Sequence, residues 1–358
     1  MSVGIYKGVP GLKTPSTKEA SYWVRKGGRI VKCTLCPHGC EIGEGESGKC
    51  LIRQNIDGRL IAATYGKVAA VHLDPIEKKP LYHYYPTSKI LSVGSLGCNM
   101  SCKFCQNWEL VEGGIMTEDL SPQELINLAE KYKPYKNIGI SFTYNEPLIW
   151  FEYILDTAKL IRQRGLDIKI VLVTNGFINP KPFEEILPFI DAMNVDLKFA
   201  DENDYIGLSN GHLKPVIKTI TATDFLYQAS HKVHIEVTYL VITDTNDTEE
   251  DFEKVTDLVA NIDDEIPFHI SRYFPHFQFK KPPTPLSTIR KAYKISKRKL
   301  KYVYVGNVWG DEEGGENTYC PQCSFELIRR NGYEVSIRGL EKKRCKKCGY
   351  SIKIIGFD

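Results

Sequence analysis

Between residues 88 and 307, short apolar runs alternate with longer amphipathic stretches. The apolar runs have the lengths of strands, and the amphipathic stretches have the lengths and spacing of helices. The first amphipathic stretch opens with the signature of a capping box, because Ser121 is followed by Pro122 and Glu124. Strands are predicted at residues 90–93, 138–143, 168–174, 191–197, 233–242, 268–273 and 302–305, and helices at residues 121–133, 148–163, 181–189, 247–262 and 288–300.

This alternation decides the fold class. Strands that alternate with helices of about 10–15 residues predict βαβ units and a parallel sheet, as in α/β proteins. The six or seven units in this stretch are fewer than the eight of a closed barrel. We therefore predict a partial (β/α)6-7 barrel, and a doubly wound open sheet is the structural alternative.

Eleven cysteines fall into three separate groups. Such grouping in a long chain, with CxxC pairs, favours metal binding over a disulfide framework. The groups also suggest a cysteine-rich module at residues 1–87, the barrel at 88–307, and an acidic linker with a second cysteine module at 308–358. The linker signal is the acidic, glycine-rich stretch 309–317.

The central group has the spacing CxxxCxxC at Cys98, Cys102 and Cys105. In ordinary electron-transfer 4Fe–4S clusters each iron has a cysteine ligand. Three cysteines on one loop hold three irons and leave the fourth open for a small ligand, as catalytic zinc centres also leave a position open. The spacing therefore predicts a reactive 4Fe–4S cluster. A zinc knuckle with a distant fourth ligand is the alternative.

The two outer groups have four cysteines each. The C-terminal group consists of two CxxC pairs, which predict a closed tetrahedral zinc site in a zinc ribbon; a mononuclear iron is the alternative. The N-terminal group suits either zinc or an auxiliary 4Fe–4S cluster, with zinc slightly favoured by polar surroundings. His38 is adjacent to this group but is not needed as a ligand. The C-terminal ligands are Cys320, Cys323, Cys345 and Cys348, and the N-terminal ligands are Cys33, Cys36, Cys40 and Cys50.

The central loop resembles that of radical S-adenosylmethionine (SAM) enzymes, since Gly97 precedes its first cysteine and Phe104 its last. Along the chain, the order of motifs resembles the AmmeMemoRadiSam-system radical SAM enzyme family, which is similar to pyruvate formate-lyase activating enzymes. The motifs are LCPHGC, GESGKC, SVGSLGCNMSCKFCQNW, FTYNEP, VDLK, SRYFP, YVGN and the C-terminal cysteine pairs.

The resemblance implies a radical SAM barrel and its chemistry. The open iron would bind SAM, and one electron would cleave it to a 5′-deoxyadenosyl radical that abstracts hydrogen from the substrate. The three central cysteines are then the catalytic residues of an oxidoreductase. The family also implies an unidentified substrate that could be a protein, Memo- or AMMECR-type partners, and an electron donor of the ferredoxin or flavodoxin class.

The same resemblance indicates where SAM would be bound, at the carboxyl ends of the strands. YNEP stands where relatives often have GGEP, so Tyr144 and Asn145 replace the two glycines. Asp196 and Lys198 share one face of a strand, which is costly unless they are paired or bound to a ligand. An internal ion pair, a plain turn and a strand break are the structural alternatives for these motifs. The predicted cofactor contacts are Phe104, Asn145, Glu146, Asn175, Asp196, Lys198 and, for a carboxylate, Arg272.

The amino-acid composition bears on the cellular location and on the class of partner. The chain of 358 residues is 42% hydrophobic and has neither an apolar run of a membrane span nor the leader of a secreted protein, so we predict a cytoplasmic protein. The net charge is +3, and residues 280–301 contain nine bases and no acid. A nucleic-acid interface is therefore an alternative but is not favoured over a solvated helical face. A metal-stabilised binding module and an electron-transfer protein are the competing classes of function.

Overall fold

The computed structural model describes residue 12 and residues 15–230, 233–308 and 314–357. Its centre is an eight-stranded sheet in which seven parallel strands follow one another in chain order. The first strand pairs antiparallel with the second. The strands are β1 (Ala70–Pro75), β2 (Lys89–Gly94), β3 (Asn137–Phe142), β4 (Lys169–Thr174), β5 (Ala192–Asp196), β6 (His234–Val241), β7 (Phe268–Arg272) and β8 (Val303–Gly306).

Helices connect the parallel strands. Their apolar residues face the sheet, as in α1, where Leu125, Ile126 and Ala129 are buried. The predicted capping box is present, with the Ser121 hydroxyl accepting a hydrogen bond from the Glu124 N–H. The α/β class and its parallel sheet are thereby confirmed. The helices of seven or more residues are α1 (Pro122–Lys131), α2 (Phe151–Gln163), α3 (Pro180–Ile186), α4 (Leu213–Ser230), α5 (Glu249–Ala260) and α6 (Leu286–Ser296), and two shorter helices are Trp108–Glu112 and Glu202–Asp204.

Three features of the sheet differ from the prediction. Helix α4 was not predicted, because its threonines and β-branched residues have low helix propensity and tertiary packing decides its conformation. Strand β1 comes from the segment assigned to the N-terminal module, so that segment contributes to the sheet. The strand order does not reverse, in contrast to a doubly wound sheet. In the described part of the chain β1 and β8 are not paired, so the sheet is open.

Short strands form the two outer parts of the chain. The N-terminal part has a three-stranded antiparallel sheet, Trp23–Gly27, Ile30–Cys33 and Glu41–Ile42, and the pair Arg53–Ile56 and Arg59–Ala62. Lys67–Val68 pairs with Glu118–Asp119. The C-terminal part has a three-stranded sheet, Thr318–Tyr319, Glu326–Asn331 and Glu334–Ile337, and the pair Leu340–Glu341 and Arg344–Cys345.

Most of the predicted acidic linker, residues 309–313, lies outside the described residues. Of the helices that the structure describes, none is both long and apolar enough to cross a bilayer.

A buried ion pair attaches the N-terminal part to the helices that cover the parallel sheet. The guanidinium of Arg53, only 1% exposed, lies 2.9 Å from the carboxylate of Glu152 in α2 and also donates to the carbonyl of Ser21. Both charges are removed from water, so each needs the other. This contact fixes the cysteine-rich segment against the helical layer next to β3.

Polar side chains close the amino-terminal end of the sheet. Glu236 accepts hydrogen bonds from His234, His269 and the backbone N–H groups of Tyr82 and His83. Burial alone would raise the pKa of Glu236, but the two histidines hold it below its usual range. The segment between β1 and β2 is therefore bound across β6 and β7.

His83 connects this closure to the C-terminal part. Burial lowers the pKa of His83 to about 3, so its imidazole is neutral near pH 7. Its Nδ1 lies 2.7 Å from the carbonyl of Lys353, which can only accept, so in the neutral ring Nδ1 donates and Nε2 accepts from the Tyr304 hydroxyl.

This pKa predicts how stability depends on pH. The unfolded chain binds a proton at His83 below about pH 6.5, whereas the folded chain does not, so folding loses stability as the pH falls from there toward 3. Between pH 7 and pH 5, His83 should lower the free energy of unfolding of wild type by about 2 kcal/mol. The His83→Gln variant should not show this part of the decrease. Urea unfolding of both proteins at the two pH values measures it. The exposed His276→Gln is the control, and an equal pH effect in His83→Gln and wild type would contradict the assignment.

Candidate active site

The three central cysteines lie on the loop that follows β2. Gly97 opens this loop with a φ of +79°, and a Cβ at that position would lie 2.3 Å from the carbonyl oxygen of Cys50. Only glycine can meet both demands, positive φ and close approach of backbone. The loop that carries Cys98 is therefore packed directly against the N-terminal cysteine segment.

A cavity of about 540 Å³ lies beside this loop, at the carboxyl ends of the parallel strands. Its size is within the range of roughly 300–1,000 Å³ that is usual for small-molecule sites. Nine of the ten residues predicted for the cluster and the cofactor line this cavity: Cys98, Cys102, Phe104, Cys105, Asn145, Glu146, Asn175, Asp196 and Lys198.

The tenth residue, Arg272, is not among the residues that line the cavity. Its Nε donates to the carbonyl of Thr284, and its guanidinium lies 4.8 Å from the ring centroid of Phe274. The side chain of Arg272 therefore contacts the loop that follows β7. The prediction that it faces a bound carboxylate receives no support from this geometry.

Glu146 is a buried carboxylate in the cavity wall. It accepts hydrogen bonds from the Thr174 hydroxyl and from the backbone N–H groups of Asn175 and Leu148. Burial raises the pKa of Glu146 to about 7, although these three donors favour the ionised form. The carboxylate is thereby fixed in orientation at the end of β3, where a cationic group in the cavity would lower its energy.

Two amide side chains hold the cysteine loop in place. Asn145 donates to the carbonyls of Leu96 and Gly97, at 3.0 and 2.9 Å, and accepts from the N–H of Ser95. Asn175 donates to the side chain of Asn99 at 2.9 Å, and its Nδ2 lies 3.8 Å from the sulfur of Cys98. Both amides bind protein atoms, so their position beside the cavity also serves to fix the loop.

Asp196 and Lys198 form an ion pair of 2.8 Å that lines the cavity. Burial alone would lower the pKa of Lys198, but the Asp196 carboxylate and the nearby Cys102 sulfur raise it above its usual range. The ion pair that was the structural alternative is therefore present, and both residues also line the cavity, whereas their contact with a cofactor stays a prediction. The ammonium is a permanent positive charge next to the cysteines.

Tyr144 takes the place that a glycine has in related motifs, and it has the backbone conformation of one, with a φ of +74°. Its side chain compensates for this strain. The hydroxyl donates to Asp74 at 2.6 Å, and the ammonium of Lys79 lies 4.7 Å from the ring centroid. Tyr144 is thereby held against Asp74 of β1 and Lys79 of the segment that follows it.

Several cavity residues were missed by the sequence analysis. Lys78 and Lys79 line the cavity from the segment after β1, and Tyr333 lines it from the C-terminal part. Burial lowers the pKa of Lys79 to about 8, although its partner Asp74 opposes this. The alternating pattern of residues 70–75 could have indicated strand β1, but no sequence signal placed these side chains at the cavity.

The C-terminal cysteines form a compact group. All four sulfurs lie within 4.8 Å of one another, with Cys320 3.5 Å from Cys348 and Cys323 3.6 Å from Cys345. The edges of a tetrahedral zinc site with 2.3 Å bonds are about 3.8 Å long. This group therefore fits a small tetrahedral metal ion with four thiolate ligands.

The N-terminal cysteines have a different arrangement. All four line a second, small cavity, and within the described residues they form no group of three or more ligand atoms within 4.8 Å. The central cysteines form no such compact group either.

The basic segment 280–301 is partly neutralised by neighbouring acids. Lys291 pairs with Glu249, Lys299 with Asp257, and Lys301 with Asp264 and Glu265. These contacts agree with a solvated helical face.

Comparison with known proteins places this geometry in a family. The model of the Radical SAM superfamily matches residues 92–259. An uncharacterized protein of Methanocaldococcus jannaschii is 38% identical over 346 residues, which cover 94% of this chain and 99% of that protein. The pyruvate formate-lyase-activating enzyme of Clostridium pasteurianum is 24% identical over 172 residues, 46% of this chain and 67% of that enzyme. The crystal structure of a radical SAM methyltransferase from Sphaerobacter thermophilus has a TM-score of 0.48 at 16% identity, and the match covers 62% of this chain and 67% of that chain.

The contacts of Asn145 generate a prediction. Asn145→Ala removes three hydrogen bonds from the cysteine loop and should lower the free energy of unfolding by about 1–3 kcal/mol. Because the loop is then less well held, the variant should also retain less iron after reconstitution. Thermal melting and iron analysis measure the two effects. Asn127→Ala, at an exposed position of α1, is the matched control, and equal behaviour of both variants would contradict the anchoring role.

Proposed function

Because the chain belongs to the radical SAM superfamily, we propose that it is a radical SAM enzyme that reductively cleaves SAM and abstracts hydrogen from a protein substrate. One observation carries this proposal. Cys98, Cys102 and Cys105 face one cavity, and among the described residues that line it there is no fourth cysteine. A 4Fe–4S cluster at this loop would therefore keep one iron without a protein ligand.

The donor set fits such a cluster. Three thiol groups are gathered at the edge of a cavity, the Met100 N–H points to the Cys98 sulfur at 3.4 Å, and the Lys198 ammonium offsets negative charge near Cys102. When bound, the cluster supplies one electron that breaks a carbon–sulfur bond of SAM and yields a 5′-deoxyadenosyl radical, which takes a hydrogen atom from the substrate.

The remaining cavity residues would bind and orient SAM. Glu146 presents a fixed carboxylate, so we assign it to the ammonium group of SAM. The Asp196–Lys198 pair supplies one charge of each sign for the polar parts of the cofactor. Asn145 and Asn175 act through the loop that they hold. Phe104 is 4% exposed and packs edge-to-face on Phe199, with 5.7 Å between the ring centroids. It therefore supports the loop from the side of the protein interior.

A protein substrate is supported by the relatives and by the shape of the site. The Clostridium pasteurianum relative is named as an enzyme that activates another enzyme, pyruvate formate-lyase. In this chain the cavity is lined at one side by Lys78, Asn307 and the half-exposed Tyr333, from segments that follow the two edge strands. A chain segment of a partner protein could enter there. Memo- and AMMECR-type proteins are the first partners to test, with a ferredoxin or flavodoxin as electron donor.

The proposal also covers the arrangement of the parallel strands, the metal of the C-terminal part and the subgroup of the superfamily. We propose that the parallel strands form a partial barrel of six or seven units at residues 88–307. The C-terminal cysteines of residues 308–358 would hold a structural zinc ion in a ribbon, because their sulfurs have the spacing of a tetrahedral site. The AmmeMemoRadiSam-system family is the subgroup that the order of motifs supports.

The test is the cleavage of SAM by the reconstituted protein. Wild type reduced under anaerobic conditions should release 5′-deoxyadenosine, and Cys102→Ala should lower the release to background because the cluster loses a ligand. Nucleoside release is followed by chromatography, and zinc content is measured alongside.

Zinc should stay unchanged in Cys102→Ala, since none of the four C-terminal cysteines lines the cavity. Wild type that contains a fully reduced cluster and still releases no 5′-deoxyadenosine would contradict the proposal. A parallel loss of zinc and melting temperature would instead indicate that the variant is unfolded.

A further inference from the structure

The N-terminal cysteines enclose a second site that lies apart from the cavity for SAM. Cys33 and Cys50 are buried, and Cys36 and Cys40 are half-buried. Their cavity is otherwise lined by the apolar Leu35, Ile42 and Ile149, together with Gly48, His38, Lys49 and Arg53. The described lining contains no carboxylate. Four sulfur atoms in such an enclosure are the surroundings of a metal centre with thiolate ligands.

The spacing of the sulfurs distinguishes between metals. The C-terminal cysteines have the short separations of a tetrahedral zinc site, whereas the described N-terminal cysteines include no three sulfurs within 4.8 Å of one another. A cubane places a four-iron core between its ligands, so it holds the cysteine sulfurs farther apart than a single ion does. The central cysteines, which we assign to such a cubane, are equally absent from the compact groups. The spacing of the cysteine sulfurs therefore distinguishes the C-terminal zinc ribbon from both the N-terminal and the central site.

A buried hydrogen-bond donor in the same cavity points to an occupant that can accept. Arg53 lines the cavity, and its Nε is buried without a hydrogen-bond partner. Its two other nitrogens already bind Glu152 and Ser21. A buried donor that remains unpaired is costly, so it indicates a missing acceptor. The sulfide or thiolate sulfur of an anionic cluster would satisfy it, and Lys49 adds a second positive charge to the lining.

The second site is in contact with the loop of the first. The carbonyl of Cys50 packs on Gly97, which precedes Cys98 in the chain. His38, between Cys36 and Cys40, has its Nε2 2.7 Å from the carbonyl of Asn99, which follows Cys98. A covalent and hydrogen-bonded route of a few residues thus connects the two groups of cysteines.

We propose that Cys33, Cys36, Cys40 and Cys50 hold a 4Fe–4S cluster through which electrons reach the cluster at the central loop. A reduced flavodoxin-class donor gives one electron to the N-terminal cluster, which then passes it to the central cluster and returns to its oxidised state. The transfer reduces the central cluster by one electron and requires no bond to form or break. The proposed electron transfer rests on the proposed function, whereas the proposed identity of the metal does not.

The metal is tested on the full chain with the central ligands removed. The Cys98→Ala/Cys102→Ala/Cys105→Ala variant, reconstituted under anaerobic conditions, should retain about four irons and four sulfides per chain. Reduced with dithionite, it should give the EPR signal of a 4Fe–4S cluster that SAM does not alter. A variant that is folded by circular dichroism, contains no iron and binds two zinc ions per chain would overturn the proposal, whether or not wild type cleaves SAM.

Electron transfer is tested with Cys36→Ala/Cys40→Ala. Reduced by dithionite, this variant should still show an EPR signal of the central cluster that SAM perturbs, which also proves that it is folded. Reduced flavodoxin should generate that signal rapidly in wild type and in Asn127→Ala, but no faster in the double variant than without the donor. Equal rates of reduction in wild type and the double variant would overturn the transfer role. A wild-type signal that SAM does not perturb would instead contradict the proposed function.

Discussion

The site depends on the contact between Gly97 and the carbonyl of Cys50. It brings two backbone segments so close that no side chain fits between them, and it does so at the residue that precedes Cys98. On its other side the loop is held by the amide of Asn145, which follows strand β3. The position of the three central cysteines is therefore fixed by the N-terminal part of the chain and by the sheet together.

The charges around the cavity follow from this arrangement. Glu146 is buried after strand β3, Asp196 and Lys198 are half-buried at the end of strand β5, and each is held by a partner within the protein. Tyr144 keeps a backbone conformation that suits glycine because Asp74 and Lys79 bind its side chain. Polar groups fixed in this way need not reorganise when a charged cofactor binds, which is the property expected of a catalytic site.

The sequence was sufficient for the parts of the molecule that depend on local pattern. The seven parallel strands, the capping box at Ser121 and the three groups of cysteines could all be predicted from spacing and periodicity. The other features depend on contacts between distant segments. Strand β1 and the lysines that follow it reach the cavity only through pairing with β2, and the helix α4 forms against its own propensity. Arg272 follows the pattern of a carboxylate ligand, but its guanidinium contacts Thr284 and Phe274 and does not line the cavity.

The central claim is that one iron of the cluster at Cys98, Cys102 and Cys105 has no protein ligand and binds SAM directly. Electron–nuclear double resonance on the reduced protein with SAM labelled with ¹⁵N at its amino group tests this claim. The account predicts a hyperfine coupling between the cluster and the labelled nitrogen. A fully reduced cluster that shows no coupling to bound, labelled SAM would contradict it.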